Sequence, residues 1–254
     1  MSGRGRRAEA AQRPEPRSWS VVIPVKPAAI GKSRLAVPGV DREALARAIA
    51  LDTIAAASRA RLVAEVVVVT NDADVRAAIA RAGGFDSALR APLNPSPFRA
   101  SRSRRRAVGD QASSSEHGEP RQATAATVRA VADPGTGLNA AIAAGLAAAT
   151  GPARAALLGD LPALRPGDLD DALRRATGPA AVADADGTGT TLFAHAEADL
   201  LAFGADSYAR HLAAGAVALD VDPASTLRHD VDTAAQLDAA RALGLGPRTA
   251  ALLP

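Results

Sequence analysis

The stretch VVIPVKPAAIGKSRLA, residues 21–36, joins the end of an apolar run to a polar loop. The apolar run, residues 19–25, predicts a buried strand, and the sequence DREALARAIA from Asp41 onward predicts an amphipathic helix. In open α/β sheets, ligands bind in the loops that follow the carboxyl ends of the strands. The stretch therefore predicts an α/β fold with a ligand site in the loop after the first strand.

The same loop contains both lysines of the chain, Lys26 and Lys32, while the other 28 basic residues are arginines. This arginine bias is typical of a high-GC genome, so two lysines kept together indicate a chemical requirement. A compact ammonium on a flexible stem suits a polyphosphate whose charge shifts during reaction, whereas guanidinium is a rigid planar fork. The alternative is that both lysines are solvated in a surface turn.

The composition indicates an α/β protein of a reducing compartment. Nearly half of the 254 residues are hydrophobic but only 2% are aromatic, so the core consists of Ala, Val, Leu and Ile, which suits helices packed on a parallel sheet. The absence of cysteine excludes disulfides and thiolate metal sites and favours the cytoplasm. No apolar stretch reaches the roughly 18 residues of a membrane span, and the arginine-rich start lacks the apolar segment of a secretory signal.

The positive charge is concentrated in two segments. Residues 1–18 carry five arginines against two glutamates, and residues 90–122 carry seven arginines against three acidic residues. The first is almost free of apolar residues, and the second exceeds the roughly 12–15 residues of most loops in compact domains. We expect residues 1–17 to be a disordered tail and residues 90–122 a disordered insertion. The run SRSRRR at 101–106 has no aromatic platform beside it, so no nucleic-acid partner is expected.

Strands and helices alternate along the remainder of the chain. Further strands are predicted at residues 64–70, 154–160, 180–185, 190–194 and 217–221, and helices at 73–82, 139–149, 166–176, 206–214 and from 232 onward. Alternating βα units with buried strands predict a mostly parallel sheet with helices on both faces. We expect residues 18–254 to form one domain that carries the insertion.

Aspartates at predicted element ends are candidates for a metal site. Asp160 ends a predicted strand, where a carboxylate can enter the crevice and hold Mg²⁺, although aspartate also favours turns. In RHDVDTAAQL, residues 228–237, Asp232 fits a helix N-cap with Thr233 as the first helical residue. Asp230 has no helix to cap and can approach the same metal as Asp160.

Two glycine-containing segments are candidate ligand loops. DPGTGLN, residues 133–139, precedes a helix whose first backbone N–H groups attract anions, and Asn139 both donates and accepts, as base recognition requires. DGTGTT, residues 186–191, together with FGADS, residues 203–207, offers hydroxyls and bare backbone to a small phosphorylated acid. The alternatives are ordinary tight turns and a helix cap at Ser207.

The histidines show no metal-ligand spacing, and the sequence assigns them no role. They are His117, His195, His211 and His229.

Taken in order, these motifs resemble one family. VIPVK, KSRLA, VVVVTND, DPGTGLNAAI, LLGDLPAL, GTGTTLF, FGADSYARH and HDVDT are similar to the 2-phospho-L-lactate and phosphoenolpyruvate guanylyltransferases of coenzyme F-420 biosynthesis. The resemblance covers nearly all of residues 19–245 except 90–122. It implies a GT-A-like (MobA-like) nucleotidyltransferase fold, and GMP transfer from GTP to a phosphorylated acid with release of pyrophosphate.

The resemblance also implies roles for individual residues. Asp160 and Asp230 would hold Mg²⁺, with Asp232 competing for the second place, and Lys26 and Lys32 would steady the triphosphate. Gly137 and Asn139 would meet guanine. Thr190, Gly204 and Ser207 would bind phosphoenolpyruvate, with Thr188 and Thr191 as alternatives to Thr190. The implied partners are GTP, a small phosphorylated carboxylic acid and the downstream transferase of the pathway.

Three other functions remain as alternatives. A nucleotidyltransferase for molybdopterin or a sugar phosphate usually has a Gly-rich LAGG-type loop where this chain has PVKPAAIGKSR. A GT-A glycosyltransferase should end its central strand in Asp-x-Asp, where this chain has the single Asp160. A nucleic-acid-binding protein acting through the basic segments should show salt-sensitive binding that is lost with those segments.

Overall fold

The computed structural model describes residues 18–29, 32, 34–81 and 125–254. The predicted tail at 1–17 and the predicted insertion at 90–122 lie outside the described residues.

One seven-stranded sheet lies at the centre of the molecule, in the strand order β3-β2-β1-β4-β6-β5-β7. The strands are β1 (Trp19–Pro24), β2 (Val63–Val69), β3 (Thr127–Val131), β4 (Ala153–Leu157), β5 (Ala180–Ala183), β6 (Thr190–Ala194) and β7 (Val217–Ala218). β1 pairs in parallel with β2 and β4, β2 with β3, and β5 with β7. β6 runs antiparallel to β4 and β5, because the short turn after β5 returns the chain along its neighbour. The predicted mostly parallel sheet is confirmed.

Helices cover both faces of this sheet, as predicted. They are α1 (Arg42–Arg59), α2 (Ala73–Arg81), α3 (Leu138–Ala148), α4 (Pro166–Arg175), α5 (Ser207–Ala213), α6 (Ala234–Leu243) and α7 (Pro247–Leu252). Successive side chains of β1 point to opposite faces. Val21 and Ile23 therefore join the apolar cluster under α1, α2 and α4, whereas Val22 joins the cluster under α3. Among the described helices, none is both long and apolar enough to cross a membrane.

Two elements had no counterpart in the sequence predictions. β3 is an edge strand whose middle residue is Arg129 and whose side chains are half-buried or exposed, so its sequence TVRAV lacks a clear apolar pattern. α7 has only six residues, and it is fixed from outside by the buried carboxylate of Asp52, which accepts hydrogen bonds from the backbone N–H groups of Arg248 and Thr249 at 3.2 and 2.8 Å. A short window of sequence therefore predicts neither element, because β3 lacks an apolar pattern and α7 depends on the distant Asp52.

The carboxyl ends of β1 and β4 meet at the switch point of the sheet. From β1 the chain extends to one side through β2 and β3, and β4 begins the other side. Directly after β4, Gly159 passes so close to β1 that a Cβ would lie 3.0 Å from the carbonyl oxygen of Pro24 and 3.2 Å from Ile23 Cγ2. Such a switch point is where open α/β sheets form a ligand crevice.

Close approach of α3 to the sheet yields a stability prediction at Gly145. An added Cβ would overlap Val22 Cγ1 and lie 2.7 Å from Val69 Cγ2. Overpacking of this kind costs about 1–3 kcal/mol, whereas alanine gains at most about 1 kcal/mol over glycine in a helix. We expect Gly145→Ala to lower the free energy of unfolding, measured by urea denaturation.

The matched control is Gly167→Ala in α4, where an added Cβ meets nothing within 4 Å. It should be neutral or stabilising. Equal effects of the two substitutions would show that α3 adjusts its distance from the sheet.

Candidate active site

A cleft of about 840 Å³ opens above the carboxyl ends of β1 and β4. It is lined by segments from across the chain: the loop after β1, the end of β4, the turn between β5 and β6, the residues before α5 and the residues before α6. The predicted site residues that line it are Lys26, Lys32, Asp160, Thr190, Gly204, Ser207, Asp230 and Asp232. The structure therefore brings the predicted metal, phosphate and acid-binding residues into one cleft.

Lys32 lies between two carboxylates in this cleft. Its Nζ is 2.6 Å from Oδ2 of Asp160 and 2.7 Å from Oδ1 of Asp232, and its side chain is only 13% exposed. Burial alone would lower the pKa of Lys32, but the charges of Asp160 and Asp232 raise it above its ordinary value. The ammonium therefore stays charged and links the end of β4 to the segment before α6.

The loop after β1 is held in place by Asp72, which follows β2. The carboxylate of Asp72 accepts a hydrogen bond from the backbone N–H of Ala28 at 3.1 Å and pairs with Arg47 Nε at 3.3 Å. Burial would raise the pKa of Asp72, but hydrogen bonds from Val75 and Ala28 and the charge of Arg47 lower it overall. On the other side of the loop, Arg42 donates to the carbonyl oxygen of Ala28 at 3.3 Å. The backbone beside Lys26 is thereby fixed from α1 and from the end of β2.

The segment before α6 is aligned on Asp160 by its backbone. The N–H of Val231 donates to the carbonyl oxygen of Asp160 at 3.0 Å. Because Val231 is paired at this point, its neighbours Asp230 and Asp232 are held near Asp160, and both line the cleft.

The prediction that Asp232 is the N-cap of the last long helix was wrong by one residue. The N-cap of α6 is Thr233, whose hydroxyl accepts from the N–H of Gln236, while the Gln236 side chain accepts from the N–H of Thr233 at 3.0 Å. This capping box satisfies two backbone donors at once. The carboxylate of Asp232 is left to pair with Lys32, and with Arg34 at 3.7 Å.

The carboxylates of the cleft differ in their electrostatics. Burial and the charges of Asp160, Asp184 and Asp232 raise the pKa of Asp230 to about 7, against an opposing effect of Lys32. Burial would also raise the pKa of Asp232, but Lys32 and Arg34 hold it below its ordinary range. Asp230 is thus the carboxylate whose negative charge is least compensated.

One oxygen of Asp160 lacks a partner, although the described residues contain no group of three or more His, Cys, Asp or Glu side chains placed to hold a metal ion. The Oδ1 of Asp160 is buried and has no hydrogen-bond partner among the described residues. A buried charged oxygen without a partner is costly, so a bound cation would satisfy it.

The acid-binding residues predicted from the sequence, Thr190, Gly204 and Ser207, lie together in one part of the same cleft, here called the hydroxyl pocket. The N–H of Thr190 donates to Ser207 Oγ at 2.9 Å, and Thr190 Oγ1 lies 2.9 Å from Nδ1 of His211. Gly204 has a φ of 129°, a left-handed conformation that disfavours any side chain. The neighbouring Thr191 also lines the cleft, and its buried hydroxyl has no partner in the described part of the chain. The choice between Thr190 and Thr191 therefore stays open.

Gly137 and Asn139 take other positions. Neither is among the described residues that line the cleft, although Leu138 between them is. The amide of Asn139 donates to the carbonyl oxygen of Phe203 at 3.1 Å and accepts from the N–H of Phe203 at 2.9 Å. Asn139 thus ties α3 to the loop before α5, and contact of Gly137 and Asn139 with guanine stays a prediction.

Two residues that the sequence did not single out belong to this region. Arg34 lines the cleft with a side chain that is 74% exposed, and its only signal was its place in the motif KSRLA. His211 contacts the hydroxyl pocket from beneath, and no spacing in the sequence indicated it.

The raised pKa of Asp230 yields a prediction about stability and pH. The folded chain retains a proton on Asp230 to about pH 7, whereas an unfolded chain loses it near the ordinary pKa of 3.8. Stability therefore falls as pH rises between about 4 and 7, because the folded state binds the extra proton. Asp230→Asn removes this penalty. In EDTA its melting temperature should exceed that of the wild type at pH 8, and the difference should shrink toward pH 5.

Asp238→Asn is the matched control, because Asp238 is an exposed aspartate of α6 outside the cleft lining. Its effect should not depend on pH over this range. A pH-independent difference for Asp230→Asn as well would show that Asp230 ionises normally.

The relatives of this chain are nucleotidyltransferases, and transfer between phosphates suits a switch-point cleft with clustered carboxylates and a half-buried ammonium. The chain is 41% identical over 244 residues to a phosphoenolpyruvate guanylyltransferase of Thermomonospora curvata, covering 92% of this chain and 88% of the relative. It is 43% identical over 245 residues to that of Streptomyces coelicolor, covering 92% and 95%. The chain belongs to the phosphoenolpyruvate guanylyltransferase family.

No family model matches the chain. A solved nucleotidyl transferase from Methanothermobacter thermautotroptrophicus is 18% identical, with a TM-score of 0.48, over 89% of this chain and 97% of that one.

Proposed function

We propose that this enzyme transfers GMP from GTP to phosphoenolpyruvate and releases pyrophosphate, as a step of coenzyme F-420 biosynthesis. The observation that carries the proposal is the placement of Lys32, bridging Asp160 and Asp232, in the same cleft as the hydroxyl pocket. One part of the cleft suits a triphosphate with its cation, and the other suits a small phosphorylated acid.

The reaction joins two phosphates and needs no covalent enzyme intermediate. An oxygen of the acid's phosphate attacks the α-phosphorus of GTP, and the bond from that phosphorus to the β-phosphate oxygen breaks. Pyrophosphate leaves with the electron pair. Such chemistry depends on positioning and charge neutralisation, and the cations and hydroxyls of this cleft supply both.

The triphosphate is assigned to the cationic side of the cleft. Lys26 and Arg34 are exposed there, and Lys32 presents a charged ammonium from a half-buried position. We assign to Lys32 an exchange of partners, from the carboxylates to phosphate oxygens, when GTP binds. Its flexible stem allows that exchange, which a rigid guanidinium would hinder.

Asp160 and Asp230 would hold Mg²⁺. The partnerless oxygen of Asp160 and the uncompensated charge of Asp230 fit a hard cation with oxygen ligands, whereas Asp232 already has Lys32 and Arg34 as partners. Bound there, the ion would neutralise negative charge that develops on the reacting phosphates.

The acid is assigned to Thr190, Gly204 and Ser207. Both hydroxyls are buried at the cleft wall, and the bare backbone at Gly204 permits close approach of a carboxylate or phosphate. The absence of cysteine supports a place for the enzyme in the reducing cytoplasm. Its product would pass to the downstream transferase of the pathway, which we propose as its partner.

The test is pyrophosphate release from GTP, ATP and CTP, each with phosphoenolpyruvate, 2-phospho-L-lactate or 3-phosphoglycerate. The next pathway enzyme is added to remove product. We expect GTP with phosphoenolpyruvate to be used best. 2-Phospho-L-lactate differs at one carbon only, and shape differences of that size give about 1–3 kcal/mol, so it should show some turnover. Release with ATP or CTP but not GTP, or with none of the acids, contradicts the proposal.

Asp160→Asn shows whether the turnover belongs to this cleft. Loss of one electrostatic stabiliser predicts a roughly 100- to 1,000-fold lower turnover, with the fold retained. Asp238→Asn makes the same charge change outside the cleft and should keep the wild-type rate.

The role of the ammonium is tested by Lys32→Ala and Lys32→Arg. Lys32→Ala leaves Asp160 and Asp232 without their bridging cation, so we expect it to raise the KM for GTP at least tenfold, in line with about 1.5–3 kcal/mol for a hydrogen bond to a charged group. Lys32→Arg keeps a cation there but replaces the compact ammonium by a longer, planar fork, so we expect it not to restore the wild-type value.

Arg59→Ala serves as the control, since Arg59 is an exposed cation at the far end of α1. Normal GTP kinetics in the Lys32→Arg variant would show that charge alone is needed at this position.

A further inference from the structure

His211 is a fully buried histidine directly beneath the hydroxyl pocket. Its ring is stacked on Phe193, with centroids 4.4 Å apart, and meets Phe203 edge-on at 4.8 Å. Phe193 and Phe203 are the two phenylalanines of the described residues, and in a chain with 2% aromatic residues both are used to hold this one ring. The orientation of His211 is therefore fixed on both sides.

The hydrogen bonds of His211 determine its tautomer. The backbone N–H of Ala202 points at Nε2 from 3.1 Å. A backbone N–H can only donate, so Nε2 accepts, and in a neutral imidazole the proton then resides on Nδ1. Burial, with the nearby charge of Arg210, lowers the pKa of His211 to about 4 against the opposing effect of a hydrogen bond to the backbone of Ser207, so the ring is neutral at physiological pH.

This tautomer fixes the direction of the next hydrogen bond. Nδ1–H donates to Thr190 Oγ1 at 2.9 Å. The hydroxyl hydrogen of Thr190 must then point away from His211. The hydroxyl hydrogen of Ser207 must likewise point away from Thr190, because Ser207 Oγ accepts from the N–H of Thr190. Neither hydroxyl donates to an acceptor in the described part of the chain.

We propose that His211 is a positioning residue of the acid-binding pocket, which orients the Thr190 hydroxyl as a hydrogen-bond donor to the bound acid. The chain of bonds runs from the N–H of Ala202 through the imidazole to Thr190. A pocket whose hydroxyls are oriented as donors suits an anion such as a phosphate or carboxylate, which only accepts. This inference rests on the proposed function, in that Thr190 is taken to bind the acid.

Two conservative substitutions each keep one of the two hydrogen bonds that the His211 ring makes, to Ala202 and to Thr190. In His211→Gln the amide oxygen reaches the place of Nε2 and accepts from Ala202, but no donor remains for Thr190. In His211→Asn the amide nitrogen takes the place of Nδ1 and donates to Thr190, but the bond to Ala202 is lost. Both variants lose the ring contacts, so differences between them report on the two hydrogen bonds.

We expect His211→Gln to raise the KM for phosphoenolpyruvate about 3- to 10-fold, the range of one net hydrogen bond, with the KM for GTP little changed. His211→Asn should keep the KM for phosphoenolpyruvate closer to the wild type, even if its melting temperature falls as far as that of His211→Gln. A histidine that only supports the fold predicts that KM follows melting temperature in both variants. That result would overturn the inference.

The double variant with Thr190→Val gives a second test. Thr190→Val should raise the KM for phosphoenolpyruvate roughly 10- to 100-fold, as expected for a lost bond to a charged group. If His211 acts through Thr190, adding His211→Gln should have no further effect on KM, although it still lowers the melting temperature. Independent, multiplying effects on KM would overturn the inference.

A spectroscopic measurement does not depend on activity. Nitrogen-15 NMR of histidine-labelled protein at pH 7 should show a protonated Nδ1 and an unprotonated Nε2 for His211, and the opposite tautomer overturns the inference even in an active enzyme. A wild-type protein that does not turn over phosphoenolpyruvate with GTP overturns the proposed function instead. The two failures are thus distinguishable.

Discussion

The ammonium of Lys32, held between Asp160 and Asp232, is the interaction on which the site depends. Three carboxylates gathered in a half-buried cleft repel one another, and without a cation they would protonate or separate. Lys32 compensates Asp160 and Asp232, whereas burial, together with the neighbouring carboxylates, raises the pKa of Asp230. The Lys32 bridge therefore keeps the geometry of the cleft when no other cation is bound. The negative charge that remains can accept a further cation.

The fold supplies the fixed points for this charge cluster. β1 and β4 are adjacent at the switch point, and Gly159 allows the chain to leave β4 in contact with β1. The hydrogen bond from Val231 to the Asp160 backbone then sets the position of Asp230 and Asp232. This backbone bond places the main chain of all three aspartates, and Lys32 then orients the side chains of Asp160 and Asp232.

Much of the fold was predictable because its signals are local. β1, β2 and β4 are buried apolar runs, and residues at strand ends fall in one crevice of a parallel sheet by geometry alone. The N-cap of α6 was placed one residue early, although Gln236 three residues after Thr233 marked a capping box. The edge strand β3 lacked an apolar pattern and was not predicted.

The site's internal contacts were not predictable from local sequence. Lys32 and Asp232 are 200 residues apart, and nothing in either motif indicates that they pair. The same holds for His211, whose importance comes from Ala202, Thr190 and two phenylalanines that pack around it only in the folded chain. Sequence patterns located Lys32 and Asp232 as site residues, but which side chains they pair with depends on the tertiary structure.

The separation between Lys32 and Asp232 also has a consequence for biosynthesis. Asp232 emerges from the ribosome only 200 residues after Lys32. A nascent chain can pair β1 with β2 long before that moment. Its lysine then has no complete set of carboxylates, so the charge cluster is among the last parts of the molecule to assemble. A chain that has not yet formed the sheet therefore lacks the complete charge cluster.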